Sequence, residues 1–199
     1  MIKNVSIIPG CIACRNCEKI CPLVFKVQGQ SKVISQETAG IEDKVLEAAR
    51  MCPVQVIKVD HDGQEAAKAS AQLVSKTMLN EHILELRFAT QDFTYTPGQY
   101  ISLFMDDKKG SFSRAYSIAD ADATGFTLTV KLTASGRGSS FLRNLSLQDK
   151  REASYLGPHG FFKLASTTKK QLYIGTGTGL APLYAMIQSS PHNPKKLLV

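Results

Sequence analysis

The chain has 199 residues with 24 Lys and Arg, 17 Asp and Glu, five Cys and 43% hydrophobic residues, an ordinary globular composition. This composition excludes a disordered chain, a collagen-like chain and a small disulfide-rich scaffold. Residues 1–9 are too short an apolar segment for a secretory signal, and no run of about 18 apolar residues predicts a membrane span. We therefore expect a cytoplasmic protein, in which an odd number of cysteines indicates metal ligands before disulfides.

The excess of positive charge lies near the C-terminus, where residues 151–199 carry six basic and one acidic side chain. Its lysine pairs, at 169–170 and 195–196, stand apart and flank apolar runs. A nucleic-acid surface needs a dense basic stripe with aromatic side chains for stacking. We therefore predict no nucleic-acid partner.

Residues 1–59 are predicted to form the first domain of an α+β multidomain chain. Apolar runs at residues 5–8 and 54–59 predict two strands, and a turn at Gly29 separates shorter ones. Between them lies an amphipathic helix, whose predicted apolar face carries Ile41, Val45, Leu46 and Ala49. This order predicts a small β-α-β repeat.

Residues 60–71 are polar and alanine-rich without hydrophobic periodicity, which predicts a linker. After it, apolar and polar residues alternate at 84–88 and 126–132, as in half-buried strands. Further strands are predicted at residues 73–79, 99–105, 114–118 and 153–156, with one short helix at 139–145. Short strands at this spacing predict a barrel or sandwich at residues 72–168.

From residue 169 the pattern changes to that of a parallel α/β domain. An apolar strand at 172–174, a glycine-rich turn, a helix at 180–188 and an apolar run at 197–199 follow one another. This is one strand-helix-strand half of a domain, and its helix is predicted to expose an apolar face that carries Leu180, Leu183, Tyr184, Met186 and Ile187. We therefore expect residues 169–199 to be an incomplete α/β domain, for which the resemblance stated below implies NAD(P) binding, and more coding sequence to follow Val199.

The cysteines carry the most specific motif. Cys11, Cys14, Cys17 and Cys21 follow the spacing C-x2-C-x2-C-x3-C-P, and Cys52 precedes a second proline. Thiolates at every third residue can wrap one iron-sulfur cubane, with a remote cysteine closing the fourth corner. Structural zinc usually takes two separated C-x2-C pairs, which this sequence lacks.

Internal symmetry selects the fourth ligand. In two-cluster proteins the last cysteine of each run ligates the other run's cluster, so Cys52 corresponds to Cys21. Stepping back from Cys52 by 10, 7 and 4 residues reaches Glu42, Val45 and Ala48, none of which is a thiol. The sequence predicts one 4Fe-4S cluster, with Cys21 a buried thiol outside the ligand set. The predicted ligands are Cys11, Cys14, Cys17 and Cys52.

In these motifs the first 60 residues resemble single-cluster bacterial ferredoxins. The resemblance implies a ferredoxin-like βαβ repeat and a one-electron carrier of low potential. Unlike many such ferredoxins, this segment has a slightly positive charge count, with eight basic and six acidic side chains.

A second constellation lies in the predicted barrel, where Pro97-Gly98-Gln99-Tyr100 is followed by Arg114-Ala115-Tyr116-Ser117. Arginine offers a fork of donors to a diphosphate, tyrosine a flat face for a ring, and serine a hydroxyl. Strand alternation points Arg114 and Tyr116 to one side and Ser117 to the other. On local chemistry alone, an edge strand with a surface arginine and a core tyrosine remains an equal alternative.

Two glycine-rich segments favour the nucleotide interpretation. Gly136-Arg137-Gly138-Ser139-Ser140 opens the short helix, where free amides and hydroxyls can receive a phosphate. Gly175-Thr176-Gly177-Thr178-Gly179 lies between a strand and a helix, the position of a nucleotide pyrophosphate. It reads G-x-G-x-G, not the dinucleotide fingerprint, and a tight turn without a ligand is the alternative.

Together with Gly157-Pro158-His159-Gly160-Phe161-Phe162, these motifs make residues 72–199 resemble the ferredoxin-NADP reductase superfamily. The resemblance implies a six-stranded antiparallel Greek-key barrel that binds flavin, followed by a pyridine-nucleotide domain. It implies that Arg114 binds the flavin diphosphate, that Tyr116 packs on the flavin, and that Ser117 bonds near flavin N5. Tyr116 and Ser117 are the candidate catalytic residues.

The remaining candidate cofactor-binding residues follow from the same resemblance. A phosphate is expected at the Gly138 amide, Ser139 and Ser140, and Lys131 is a further cofactor-binding candidate. The nicotinamide nucleotide is expected at Gly175, Thr176, Gly177, Thr178 and Gly179. FAD is the expected flavin, and FMN is the alternative, because Gly136-Arg137-Gly138 resembles some FMN-binding relatives.

The function predicted is that of a flavin and iron-sulfur oxidoreductase using NAD(P)H as substrate, with a redox partner protein or another downstream acceptor. Flavin is needed because nicotinamide moves two electrons as hydride, whereas the cluster accepts one. The alternative is a non-catalytic ferredoxin and flavin relay subunit of a larger complex.

Overall fold

The computed structural model of the protein describes residues 1–63, 68–149, 152–165, 171–189 and 195–198. The chain divides into two compact units, Met1–Lys68 and Ala69–Val199. The predicted linker is shorter than expected, because one strand continues to His61 and the next begins at Ala69. Residues 64–67, at its centre, lie outside the described residues.

The first unit pairs its terminal strands around a hairpin and two helices. Its elements are β1 (Ile2–Ile7), α1 (Asn16–Ile20), β2 (Phe25–Gln28), β3 (Gln30–Val33), α2 (Glu42–Arg50) and β4 (Ile57–His61). Strand β1 is antiparallel to β4, and β2 is antiparallel to β3. Helix α2 buries Val45 as predicted, but its second fully buried residue is Ala48, while Leu46 and Ala49 are only half-buried.

The second unit contains a closed antiparallel barrel in the order β10-β5-β6-β9-β8-β7. Its strands are β5 (Ala69–Met78), β6 (Ile83–Ala89), β7 (Tyr100–Asp107), β8 (Gly110–Asp122), β9 (Gly125–Lys131) and β10 (Glu152–His159). The pairing of β6 with β9 places β7 and β8 on the far side of β9, which is a Greek-key order. The predicted six-stranded barrel is confirmed.

Period-two alternation produces the barrel core. Phe88 of β6 lies opposite Phe126 of β9, and their rings stack with centroids 5.4 Å apart. Leu86 and Leu128 pair in the same register, and all four side chains are fully buried. Each such side chain contributes about 1.5–3 kcal/mol by leaving water, so these pairs fix the register of the sheet.

Between the barrel strands β9 and β10 lie α3 (Arg137–Asn144) and a 3-10 turn at Leu147–Asp149. After the barrel come β11 (Gln171–Ile174), α4 (Leu180–Gln188) and β12 (Lys195–Leu198), which is parallel to β11. Helix α4 packs against β8 and buries Leu183 and Met186, so the predicted exposure of its apolar face is wrong for these two residues, whereas Tyr184 is exposed. Leu172 and Ile174 of β11 are exposed as well. No helix of the described ranges is long and apolar enough to cross a membrane.

Candidate functional site

Four of the five cysteines surround one pocket in the first unit. Cys11, Cys14, Cys17 and Cys52 all line it, together with apolar side chains that include Val27 and Val56. Cys21 does not line the pocket and is 1% exposed within the core. The structure therefore separates the five thiols into the four predicted ligands and one buried thiol.

The loop that carries three of these thiols has an unusual backbone. Ala13 and Arg15 both have left-handed conformations, with φ of 54° and 62°. These two residues reverse the chain between successive cysteines, and α1 begins directly after Arg15. The side-chain amide of Asn16 donates to the Met51 carbonyl over 3.3 Å, which ties this loop to the segment before Cys52.

Ser31 of β3 contacts two of the four sulfurs. Its backbone N–H donates to the Cys11 Sγ over 3.3 Å, and its Oγ lies 3.1 Å from the Cys17 Sγ. The Ala13 N–H also donates to Cys11, over 3.4 Å. Burial raises the pKa of the Cys17 thiol, while the Ser31 hydroxyl and the Glu18 amide oppose that shift. The cysteine spacing contains no signal for Ser31, which lies on a separate hairpin.

This donor set fits an iron-sulfur cluster. Four thiols, amide hydrogen bonds to sulfur and an apolar surround are the features that such clusters use. Within the described ranges, no three His, Cys, Asp or Glu side chains converge closely enough to hold a single metal ion. The four thiols instead stand around a pocket, and a cubane is held by one thiolate at each of its iron corners.

Glu18 connects the cysteine loop to the β2–β3 hairpin. Its carboxylate accepts from Arg15 Nε over 2.8 Å and from the Val27 N–H over 3.4 Å, and Lys26 Nζ lies 3.4 Å away. Desolvation opposes ionisation, but these hydrogen bonds hold the pKa of Glu18 below its ordinary value. The ionised Glu18 therefore ties the left-handed Arg15 to the hairpin that carries Ser31.

In the second unit, the start of α3 lies against two residues of the β8 motif. A Cβ placed on Gly138 would stand 3.0 Å from the Tyr116 hydroxyl and 3.3 Å from Arg114 Cγ. Burial raises the pKa of Tyr116 to about 12, although Arg114 opposes the shift. The structure thus brings Arg114, Tyr116 and Gly138 together.

Ser117 lies directly after Tyr116 in β8. It pairs with Tyr100 of β7, and from Ile118 onward β8 pairs with β9 instead. Its side chain is half-buried, and its hydroxyl has no hydrogen-bond partner in the described part of the chain. Ser117 therefore lies half-buried at the point where β8 changes partners.

The other predicted phosphate ligands differ in their surroundings. The Ser139 hydroxyl is buried and accepts the Thr133 N–H over 2.9 Å, so it stabilises the loop before α3. Ser140 is exposed and lines a second pocket. Lys131 is exposed at the end of β9. The Gly138 amide and the Ser140 hydroxyl therefore remain the candidate hydrogen-bond donors to a phosphate at the start of α3.

Arg137 was not among the predicted site residues. Its Nε and Nη2 donate to the two Asp107 carboxylate oxygens over 2.8 and 2.6 Å, and Nη2 also donates to the Gly110 carbonyl over 2.7 Å. Its guanidinium carbon lies 3.9 Å from the centroid of the Phe112 ring. Arg137 thus joins the β7–β8 hairpin to α3 beside the pocket that Asp107, Arg137 and Ser140 line.

The glycine-rich turn lies between β11 and α4, as predicted. Residues Gly177–Gly179 form a 3-10 turn against β9, and Gly177 has a φ of 55°. Thr176, Gly177 and Gly179 are exposed. Gly98 of the first barrel motif has a packing role, because a Cβ there would overlap the Phe162 carbonyl and Met186.

Two family profiles match the chain. Residues 9–59 match the 4Fe-4S single cluster domain of ferredoxin I, and residues 70–164 match the oxidoreductase FAD-binding domain. Ferredoxin-NADP reductase B of Sorangium cellulosum is 33% identical over 63% of this chain and 53% of its own length. The ferredoxin reductase component of a 3-ketosteroid-9-alpha-monooxygenase from Rhodococcus rhodochrous is 29% identical over 67% of this chain and 39% of its own length.

A solved structure shares the fold. The ferredoxin-NADP+ reductase of Plasmodium falciparum matches with a TM-score of 0.55 and 22% identity, over 61% of this chain and 52% of that one. The chain spans about half the length, or less, of these relatives. With both profiles matched, the chain is a single-cluster 4Fe-4S ferredoxin domain fused to an FAD-binding domain of the ferredoxin-NADP reductase superfamily.

Proposed function

We propose that this chain passes electrons between NAD(P)H, FAD and a 4Fe-4S cluster, to or from a redox partner. The observation that carries the proposal is the presence, in one chain, of the four-cysteine pocket and the contact of Arg114 and Tyr116 with Gly138. Bound flavin exchanges hydride with nicotinamide and single electrons with a cluster, so it joins two-electron to one-electron chemistry.

The residues divide this work. Cys11, Cys14, Cys17 and Cys52 hold the cluster as thiolates. Arg114 binds the FAD diphosphate through its charged fork, Tyr116 packs on the flavin, and Ser117 donates its hydroxyl near the reacting edge. The Gly138 amide and the Ser140 hydroxyl donate hydrogen bonds to a phosphate at the start of α3.

The glycine-rich turn before α4 supplies the nicotinamide nucleotide site. Its exposed residues lie directly before helix α4 and beside the barrel strand β9, a position that suits a pyrophosphate. The five free cysteines support a reducing compartment, which is the cytoplasm. The Rhodococcus relative, named as a reductase component of a monooxygenase, supports a protein as the acceptor.

The test is anaerobic titration of the full-length protein with NADH and with NADPH, followed by flavin absorbance and cluster EPR. We expect one nucleotide to bleach the flavin and the cluster signal then to develop. The matched variant Cys52→Ala should keep flavin bleaching and lose the EPR signal. If neither nucleotide bleaches the flavin, the enzyme proposal is wrong, and bleaching without any cluster signal in the unmodified protein refutes the transfer between them.

A further inference from the structure

We propose that Ser31 raises the reduction potential of the cluster by donating its hydroxyl hydrogen to the Cys17 thiolate. The inference rests on the proposed function, because it requires the cluster to be bound by the four cysteines. It adds a residue outside the cysteine motif to the set that determines how readily the ferredoxin domain accepts an electron.

Ser31 is placed by the hairpin that covers the cysteine pocket. It lies in β3 opposite Val27 of β2, and both residues line the pocket. Its residue exposure is 8%, so bulk water competes little for its hydroxyl. The Oγ is 3.1 Å from the Cys17 Sγ, while its own backbone N–H is directed to the Cys11 Sγ at 3.3 Å.

The direction of the hydroxyl bond follows from the ligand's charge. Between a thiol and a hydroxyl either atom could donate. A cysteine that ligates iron is a thiolate and carries no hydrogen, so the Ser31 hydroxyl is the donor in the loaded protein. The Cys17 thiolate then accepts from this hydroxyl in addition to the backbone N–H of Glu18.

A donor at this position affects the two redox states unequally. Reduction adds one negative charge to the cluster and its thiolates, and a hydrogen bond to a more negative acceptor is stronger. The hydroxyl therefore stabilises the reduced state more than the oxidised state. Its removal should lower the equilibrium constant for reduction about tenfold, which corresponds to about 59 mV for a one-electron couple.

The experiment is an EPR-monitored redox titration of the full chain and of Ser31→Ala. This substitution removes the hydroxyl but keeps the backbone N–H to Cys11, so it isolates one hydrogen bond. We expect a midpoint potential more negative by about 59 mV, which corresponds to an equilibrium constant for reduction about tenfold lower. Ser31→Thr keeps a hydroxyl and should restore most of the potential. Ser6→Ala, at an exposed position of β1, should leave the potential unchanged.

A resonance Raman spectrum provides a readout that does not depend on activity. The Ser31→Ala cluster should show altered iron–thiolate stretching frequencies and a smaller shift on transfer to heavy water than the unmodified cluster. Equal midpoint potentials in Ser31→Ala and the unmodified chain, with iron content equal in both, would overturn the inference and leave the proposed function intact. A chain that assembles no cluster would overturn both.

Discussion

Gly138 lies so close to Tyr116 that a side chain on the glycine would meet the tyrosine hydroxyl at 3.0 Å. The two residues belong to α3 and β8, which are separated by a full strand of sequence. Because Arg114 Cγ would stand only 3.3 Å away from the same Cβ, the glycine leaves room for both members of the β8 motif at the start of α3. This contact makes the proposed FAD site sensitive to a single methyl group.

Gly138→Ala should weaken FAD binding more than it lowers the stability of the apoprotein. The added methyl group displaces Tyr116 or Arg114, and overpacking of this kind costs about 1–3 kcal/mol. Alanine in a helix is about 1 kcal/mol more favourable than glycine, which offsets part of that cost in the apoprotein. We expect the Kd for FAD to rise roughly tenfold, by fluorescence titration, with a small decrease in the melting temperature of the apoprotein. Loss of stability without loss of affinity would contradict the proposed contact.

Arg114→Ala should release FAD by removing the charged donors proposed for its diphosphate. Hydrogen bonds to charged groups contribute about 1.5–3 kcal/mol, so the Kd should rise roughly ten- to a hundredfold. The control is Lys108→Ala, which removes the same charge from an exposed position of the β7–β8 turn. Equal effects of both substitutions in FAD titrations would show that only net charge matters.

Cys52→Ala and Cys21→Ala should separate the ligand thiol from the buried one. Cys52 lines the four-cysteine pocket, so its loss should abolish the 4Fe-4S EPR signal and lower iron content. Cys21 lies in the core, so its loss should retain the cluster and reduce the free energy of unfolding by about 1 kcal/mol. Iron analysis and urea denaturation of both variants check this, and a cluster lost from Cys21→Ala would reverse the assignment.

The elements that the sequence predicted well are those specified by local periodicity. Alternation in β6 and β9 determined which side chains enter the barrel core, and helix α4 begins and ends at the predicted residues, Leu180 and Gln188. The predicted strand at 114–118 was too short, because β8 pairs first with β7 and then with β9 over Gly110–Asp122. A change of partner within one strand leaves no local signal.

The contacts that the sequence could not predict join distant segments. Ser31 contacts Cys17 only because the β2–β3 register places it over the pocket. Arg137 contacts Asp107 across 30 positions, through the closure of the barrel. Leu183 packs in a small cluster with Tyr173 of β11 and Met186, although the incomplete α/β segment predicted an exposed helix face.

The Asp107–Arg137 pair should make stability depend on acid pH. Hydrogen bonds from Arg137 lower the pKa of Asp107 to about 2. A carboxylate whose folded pKa is depressed contributes stability that is fully present above its unfolded pKa of about 3.9 and is lost as the pH falls toward 2. Compared with Asp107→Asn, the unmodified protein should have a higher melting temperature above about pH 4, and the difference should vanish near pH 2.

High salt provides the check on that pair. Both side chains are partly exposed, so 1 M NaCl should reduce the difference in melting temperature at pH 7. The bidentate geometry should leave part of the difference in place. A difference that is independent of pH between 2 and 7 would mean that the carboxylate charge has no role.

Lys76→Met should destabilise the second unit from the C-terminal end of α3. The Lys76 ammonium donates to the carbonyls of Arg143 and Leu145, each over 2.7 Å, and so satisfies groups that a helix end leaves without intrahelical partners. Methionine retains the length of the apolar stem but removes the donor, at a cost of about 0.3–1 kcal/mol for a cation at a helix C-terminus. Because α3 also carries Gly138, FAD should bind more weakly as well. Lys108→Met is the control at an exposed turn. Urea denaturation measures the stability of both variants, and FAD titration measures their affinity for the flavin. Equal results for the two lysines would exclude a role for Lys76 in holding α3.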